Sequence, residues 1–308
     1  MAVPVFDLTR QWEQLRDDVT KAMTPVLESG HFILGEQVSQ LESEIATLCG
    51  TEHAIGVANG SDAIYLALRA LGVGPGDEVI VPAFTFFATA GSVSRTGATP
   101  VFTDIVPLTC NIDCVDVERR ITPRTRAIVP VHLYGQPADM DELMALAEVH
   151  GLFVVEDGAQ AIGARYKGRP VGSMGHAATL SFFPTKNLGC YGDGGAIFTN
   201  DDDLAELLNS LKVHGKGENK YDNIRIGVNS RLDSIQAAVL NVKLTAFIDH
   251  ELDDVNRVYS LYSEKLAGVV ETPLIPEGYM SSFAQYTIKL NSKEQRDTLQ
   301  AKLKEEGI

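Results

Sequence analysis

Leu152-Phe153-Val154-Val155-Glu156-Asp157-Gly158-Ala159-Gln160 reads as a short apolar strand ending in two acids and a turn. A run without polar alternation fits a strand covered by helices on both faces. A second such run closes in Ser181-Phe182-Phe183-Pro184-Thr185-Lys186-Asn187-Leu188-Gly189, which puts a lysine just past a strand end. An acid at one strand end and a lysine past another suit pyridoxal 5′-phosphate. That cofactor needs a lysine amine to condense with its aldehyde and a carboxylate to keep its ring nitrogen protonated. Taken singly, each residue has a plainer reading. A lysine before a glycine-rich turn is usually a solvated surface residue, and an Asp in Asp157's place is usually a turn or cap residue.

Outward from these stretches, strand-like and helix-like runs alternate. Strands are expected at Ala54–Ala58, Glu78–Val81, Pro100–Thr103, Ala127–Leu133, Leu152–Glu156, Thr179–Phe183 and Ala196–Thr199. Helices are expected between them at Asp62–Leu71, Phe86–Thr96, Asp113–Arg119 and Asp139–His150. This alternation predicts an α/β fold with a mainly parallel sheet covered by helices. A long helix is predicted from Ser230 to Val255, then a helix at Arg257–Leu266, a strand at Tyr286–Leu290 and a helix at Ser292–Glu306. The expected division is a large domain over 1–240, including an N-terminal helix, and a smaller α+β domain beginning at 241–308. One strand and two helices do not bury a core of their own, so the natural chain is expected to continue past Ile308.

The 308 residues are 44% hydrophobic and 22% charged, an ordinary globular balance. A net charge of -15 argues against nonspecific binding to nucleic acid or an anionic membrane, both of which need a basic face. Val79 to Ser94 is too short and too polar to span a bilayer. The opening MAVPVFDLTRQWEQL has no basic segment followed by an apolar one, so no secretory leader is expected. Cys110 and Cys114 lack a second Cys or His pair to complete a zinc site, and a metal is not expected. The four cysteines are expected to be reduced thiols in the cytoplasm.

A phosphate site is readable at Asn59-Gly60-Ser61-Asp62, between a strand and a helix. A helix start presents unpaired N–H groups and partial positive charge, a glycine lets the backbone approach, and a serine adds a donor. The plainer reading is an N-cap, with Ser61 or Asp62 in a purely structural role. Ser181 adds a hydroxyl from the strand end before Lys186. Of Phe84, Phe86 and Phe87, at least two are expected in the core, while one could stack on a flat cofactor. No GxxxxGK[ST] loop supports a P-loop, and no well-placed GxGxxG supports a dinucleotide site.

In order, Asn59-Gly60-Ser61-Asp62-Ala63, Pro82-Ala83-Phe84-Thr85-Phe86, Glu156 to Ala161, Ser181 to Lys186, Gly192-Asp193-Gly194-Gly195-Ala196 and Gly227 to Asp233 resemble the DegT/DnrJ/EryC1/StrS family of nucleotide-sugar aminotransferases. These are fold type I pyridoxal phosphate enzymes, and the resemblance covers essentially the whole chain. It implies that Lys186 binds the cofactor covalently and shuttles the proton. Asp157 would pair with the ring nitrogen, Gln160 would face the ring hydroxyl and Phe86 would stack on the ring. Gly60, Ser61 and Ser181 would hold the phosphate, and Asn229 would reach the cofactor of the neighbouring subunit in a homodimer with shared sites. Lysine at 186 implies transamination, since sugar dehydratases of the family carry histidine there.

The runs Leu188 to Asn200 and Gly227 to Asp233 resemble most the subgroup that makes UDP-2-acetamido-3-amino-2,3-dideoxyglucuronate from its 3-oxo precursor, for cell-surface polysaccharide. L-Glutamate would be the amino donor. In that subgroup substrate contacts fall at positions matching Gly30, Phe32, Thr185 and Arg231. Phe32 and Thr185 stand where those relatives usually carry Tyr and Ser, which removes a phenol hydroxyl. Other dTDP-, GDP- or UDP-keto-sugars remain alternatives. A nucleotide-dependent oxidoreductase and a non-catalytic binding protein on the same scaffold are the rivals of other classes; the missing glycine fingerprint weighs against the first, and the intact Lys186 and Asp157 against the second.

Overall fold

The computed structural model describes residues 3–308 except Val5 and Lys220. Met1, Ala2 and Val5, part of the stretch read for a leader, lie outside the described residues. The chain opens with two helices, α1 (Thr9–Ser29) and α2 (Glu36–Cys49). Strand β1 (His53–Val57) leads into α3 (Gly60–Ala70), β2 (Glu78–Pro82), α4 (Phe87–Thr96), β3 (Thr99–Thr103), α5 (Cys114–Arg120) and β4 (Thr125–Ile128). Then come α6 (Met140–His150), β5 (Phe153–Asp157), the short β6 (Arg165–Tyr166) and β7 (Arg169–Pro170), β8 (Ala177–Ser181) and β9 (Gly195–Thr199). The last elements are α7 (Asp202–Leu211), α8 (Ser234–Ala246), α9 (Leu252–Leu266), β10 (Tyr279–Met280) and α10 (Lys293–Glu305).

Seven strands form one sheet in the order β1-β9-β8-β5-β4-β2-β3. Pairing is parallel from β8 through β3 and antiparallel where β9 meets β8 and β1. The pleat sends alternate residues to opposite cores. Val79 and Val81 join one apolar cluster with α3 and α7, while Ile80 joins another with α5 and α6. Likewise Ile197 faces the first cluster, while Ala196 and Phe198 face a third that includes Leu41 of α2 and Leu240 of α8. Each such fully buried large side chain contributes roughly 1.5–3 kcal/mol. The expected architecture is therefore present.

The parts beyond the sheet depart from the reading of the sequence. Ala127–Leu133 is strand only to Ile128, and a short 3-10 turn follows at Leu133–Gly135. The two predicted helices from Ser230 to Leu266 are one helical run; the expected break between Val255 and Arg257 falls inside α9, and a π-turn at Phe247–Glu251 joins α8 to α9. Tyr286–Leu290 is not a regular strand; Lys289 makes only an isolated bridge to Glu271. The strand of this region is β10, which pairs with β6 and ties the C-terminal segment to the large sheet's flank. Among the described residues, no helix is long and apolar enough to cross a membrane.

Candidate active site

Three strand ends meet at one rim of the sheet. β5 delivers Asp157, and its parallel neighbour β8 pairs Thr179 opposite it and ends at Ser181. β1 approaches from the far side of β9 and runs into Asn59, Gly60 and Ser61 at the start of α3. Gly195 of β9 must be a glycine for this, because a Cβ there would stand 2.6 Å from the Asn59 carbonyl carbon. A Cβ on Gly60 would stand 2.7 Å from the Ser181 Cβ, so these two phosphate candidates are in direct contact.

The helix start settles which residue caps it. The Asn59 side chain accepts the Asp62 N–H at 2.8 Å, and Asp62 in turn accepts from Arg95. The purely structural role expected of Ser61 or Asp62 as cap thus falls to Asn59, whose extended backbone fits that position. Among the described residues the Ser61 hydroxyl makes no protein hydrogen bond. Ser181 Oγ accepts the Phe183 N–H at 3.3 Å.

Asp157 is a buried carboxylate, 4% exposed, with no ion pair among the described residues. Thr89 Oγ1 donates to its Oδ2 at 2.8 Å and the Ala159 N–H to its Oδ1 at 3.2 Å. Burial raises its pKa above the ordinary carboxylate value, and those hydrogen bonds with the Lys186 charge offset this only in part. Lys186 is half-buried in the loop after β8, where its N–H donates to the Phe183 carbonyl at 2.8 Å. Burial lowers its pKa, against the opposing pull of Asp157. Thr185 is exposed beside it.

Glu156, the residue before Asp157, is also buried but points to the opposite face and has more partners. It accepts from His132 Nε2 at 2.9 Å and from the N–H groups of Gly172, Met174 and Gly175. His132 Nδ1 accepts the Ala138 N–H, so the ring proton lies on Nε2. Burial alone raises the Glu156 carboxyl, but the His132 contact and backbone donors outweigh it and leave it lowered. Sequence reasoning missed both Thr89 and His132. The adjacency of two acids at one strand end was the available signal, since alternation must put one of them on each face.

Gln160 accepts the Tyr134 N–H on its Oε1 at 2.7 Å, and this holds Tyr134 in a left-handed conformation (φ 59). Phe84, Phe86 and Phe87 are 48%, 73% and 82% exposed, which overturns the expectation that two of them are core. They follow β2 at the rim, where Phe84 packs edge-on against Tyr134, and Phe86 caps the start of α4 with most of its surface exposed.

A second group forms beside the first. Gly30 ends α1 in a left-handed turn (φ 70), and Ile33 bridges to Asp233 while the Phe32 carbonyl accepts the Ser234 N–H. This carries Gly30 and Phe32 to the start of α8, next to Asn229 and Arg231. Arg231 Nη2 donates to Asn229 Oδ1 at 2.7 Å, rather than to Asp233 or Asp157, and Arg231 Nε is buried without a protein partner. Asn229, Arg231, Asp193 and Gln236 line an open hollow with Ala58, two residues from Gly60. Lys186 does not line it, so within one chain the two groups adjoin but do not merge. No cluster of three or more His, Cys, Asp or Glu residues able to hold a metal occurs among the described residues.

Known proteins resemble the chain in sequence and fold. The chain is 52% identical over its full length, and 82% of the relative's, to a pleiotropic regulatory protein of Geobacillus stearothermophilus. It is 46% identical to the UDP-2-acetamido-2-deoxy-3-oxo-D-glucuronate aminotransferase of Pseudomonas aeruginosa, covering 99% of this chain and 84% of that one. It is 47% identical to the dTDP-3-amino-3,4,6-trideoxy-alpha-D-glucose transaminase of Streptomyces venezuelae, covering 99% and 80%. Its fold superposes on a crystal structure of an aminotransferase from Brucella abortus with a TM-score of 0.95 at 44% identity, covering 99% of this chain and 83% of that one. With residues 13–308 matching its sequence pattern, the chain belongs to the DegT/DnrJ/EryC1/StrS aminotransferase family.

Proposed function

We propose that this aminotransferase uses pyridoxal 5′-phosphate to move an amino group from L-glutamate to a keto-sugar nucleotide. The observation that carries the reading is Asp157, a buried carboxylate with no ion pair among the described residues, at the strand end next to the Lys186 loop. The residues present fit the cofactor. A cationic ring nitrogen would answer Asp157, and the free Ser61 hydroxyl with Gly60, Ser181 and the α3 N-terminus would hold the phosphate. Gln160 would face the ring hydroxyl, and the exposed Phe86 ring would stack on the cofactor plane.

Bound there, pyridoxal phosphate supplies an electron sink. The chain's own part is to orient and to move protons. Lys186, its amine biased toward the neutral form by burial, takes a proton from the donor's α-carbon and returns one at the carbon being aminated in the second half. Asp157 would pair with the protonated ring nitrogen, in a site where burial strengthens that interaction. Thr89 orients Asp157.

The finer assignment is a UDP-linked 3-oxo-hexuronate, probed by Gly30, Phe32, Thr185 and Arg231, for cell-surface polysaccharide synthesis in the cytoplasm. The unpartnered Arg231 Nε supports an anionic substrate group, since a guanidinium can grip a carboxylate with two parallel bonds. Relatives named for UDP- and dTDP-sugars are about equally similar, so a dTDP- or GDP-keto-sugar is the second reading. A homodimer would bring Asn229 of one chain to the cofactor of the other. The test of the class is borohydride reduction of the yellow protein followed by peptide mapping. The adduct is expected on Lys186, and one on Lys212 or Lys216 would overturn the assignment.

A further inference from the structure

Lys243 is a lysine 2% exposed, in the middle of α8. A buried ammonium with three donors is costly unless its protons are accepted. It forms no salt bridge among the described residues. Its Nζ donates to the Gly189 carbonyl and lies 5.4 Å from the centre of the Tyr191 ring. Burial lowers its pKa, while Glu251 and Cys190 pull the other way.

Gly189 closes the loop that carries Lys186. Inside that loop the Lys186 N–H donates to the Phe183 carbonyl and the Cys190 N–H to the Phe182 carbonyl, each at 2.8 Å. The turn is so tight that a Cβ on Gly189 would stand 2.6 Å from the Pro184 carbonyl oxygen. From outside, side chains hold it at two points. Asn187 Nδ2 donates to the Ser282 carbonyl at 2.6 Å, and Lys243 holds Gly189. The first anchor belongs to an irregular segment. The second belongs to a helix whose Ala237, Leu240 and Leu244 are in the core.

We propose that Lys243 is a positioning residue that sets the place of Lys186 by gripping the Gly189 carbonyl from α8. This rests on the reading of Lys186 as the reacting lysine. A loop displaced by about an ångström can cost up to roughly a hundredfold in rate. Because Lys186 acts in both halves of a transamination, losing its anchor must slow both halves alike. A residue that reads only the sugar would slow one.

Lys243→Met keeps the unbranched stem and removes the donor. In the loaded enzyme, single-turnover rates with L-glutamate and with the keto-sugar nucleotide are each expected to fall about ten- to a hundredfold, with KM values within about twofold. In cofactor-free protein, acylation of the Lys186 amine followed against pH by mass spectrometry is expected to show its midpoint rising by about half a unit or more, as a looser loop admits water. Lys243→Arg, which retains a donor, is expected to recover most of both rates. Unchanged rates per folded molecule with a lowered melting temperature only, or a loss confined to one half, overturns the proposal. If the Met variant does not fold, Lys243→Gln, one atom too short to reach, serves the same comparison, and unchanged rates there are equally fatal. Borohydride mapping separates the two ideas. An adduct away from Lys186 removes the underlying reading, whereas an adduct on Lys186 with normal Lys243→Met rates removes this inference alone.

Discussion

Gly60→Ala is the smallest change that reaches the phosphate candidates. Gly60 is not in the left-handed region, so the objection to alanine is space and not backbone strain. The new methyl would stand 2.7 Å from the Ser181 Cβ and 3.3 Å from its Cα, where ordinary contact begins at 3.4 Å. The end of β8 and the start of α3 must then part by roughly 0.7 Å or more, at an overpacking cost of about 1–3 kcal/mol. The same movement draws Ser181 and the α3 N–H groups off a shared phosphate. Losing one charge-assisted contact costs about 1.5–3 kcal/mol, or roughly ten- to a hundredfold in cofactor affinity. The assay is thermal unfolding with and without pyridoxal phosphate. At a concentration 100 times the wild-type Kd the cofactor adds about 2.7 kcal/mol, and after a thirtyfold weakening about 0.9 kcal/mol. Gly74→Ala is the control, since the nearest atom there is the flexible Arg69 Nη1 at 3.5 Å. Its effect should stay within about 0.5 kcal/mol. A Gly60→Ala protein with unchanged stability and an undiminished cofactor increment would refute the reasoning.

Arg231→Lys keeps the charge but loses the fork; it should weaken turnover of a 3-oxo-uronate about ten- to a hundredfold more than that of a neutral keto-sugar analogue, and equal losses would remove the uronate assignment. Inactive Lys186→Ala and Asn229→Ala chains should regain part of their activity when mixed, because one hybrid site is intact; no recovery despite proven subunit exchange counts against sites made in trans. The two acids of β5 should have opposite effects on acid stability. Glu156, lowered in the fold, contributes stability that is complete above its unfolded value near 4.5 and is lost as pH falls through its folded value, so Glu156→Gln should flatten that loss below about pH 4.5. Asp157, raised in the fold, weakens the cofactor-free protein above its folded value, so Asp157→Asn should melt higher near neutral pH while losing activity. Melting curves on the cofactor-free proteins, run from pH 7 down to about pH 2 so that they pass below the unfolded Glu156 value, check both signs.

What was legible in the sequence had local causes. The sheet strands are apolar runs bounded by turns, and Lys186, Asp157 and Gly60 fall at strand ends because those runs place them there. What was not legible depends on distant partners. β10 exists only because Tyr279 and Met280 meet Tyr166 and Arg165. The π-turn at Phe247–Glu251, inside the predicted helix from Ser230 to Val255, escaped because it inserts a single residue into an otherwise continuous period. The Phe84, Phe86 and Phe87 rings look like core residues by composition, and only the position of the rim leaves them exposed. The Asn59 cap hid behind the more familiar Ser61 and Asp62. Thr89 could not be seen because its link to Asp157 crosses from α4 to β5.

The antiparallel insertion of β9 has a consequence for how the protein is made. β1 is an edge strand whose one partner in the sheet is β9, about 140 residues later in the chain. Until β9 leaves the ribosome, the strand that leads into Gly60 and Ser61 has nothing to pair with. At about 5–20 residues per second, that wait is roughly 7–28 s. During it the nascent chain carries an exposed strand edge, the kind of surface that pairs with wrong neighbours. The candidate phosphate cradle therefore cannot assemble before β9 has emerged, and a ribosome-bound chain that stops short of Thr199 should have no cofactor site at all.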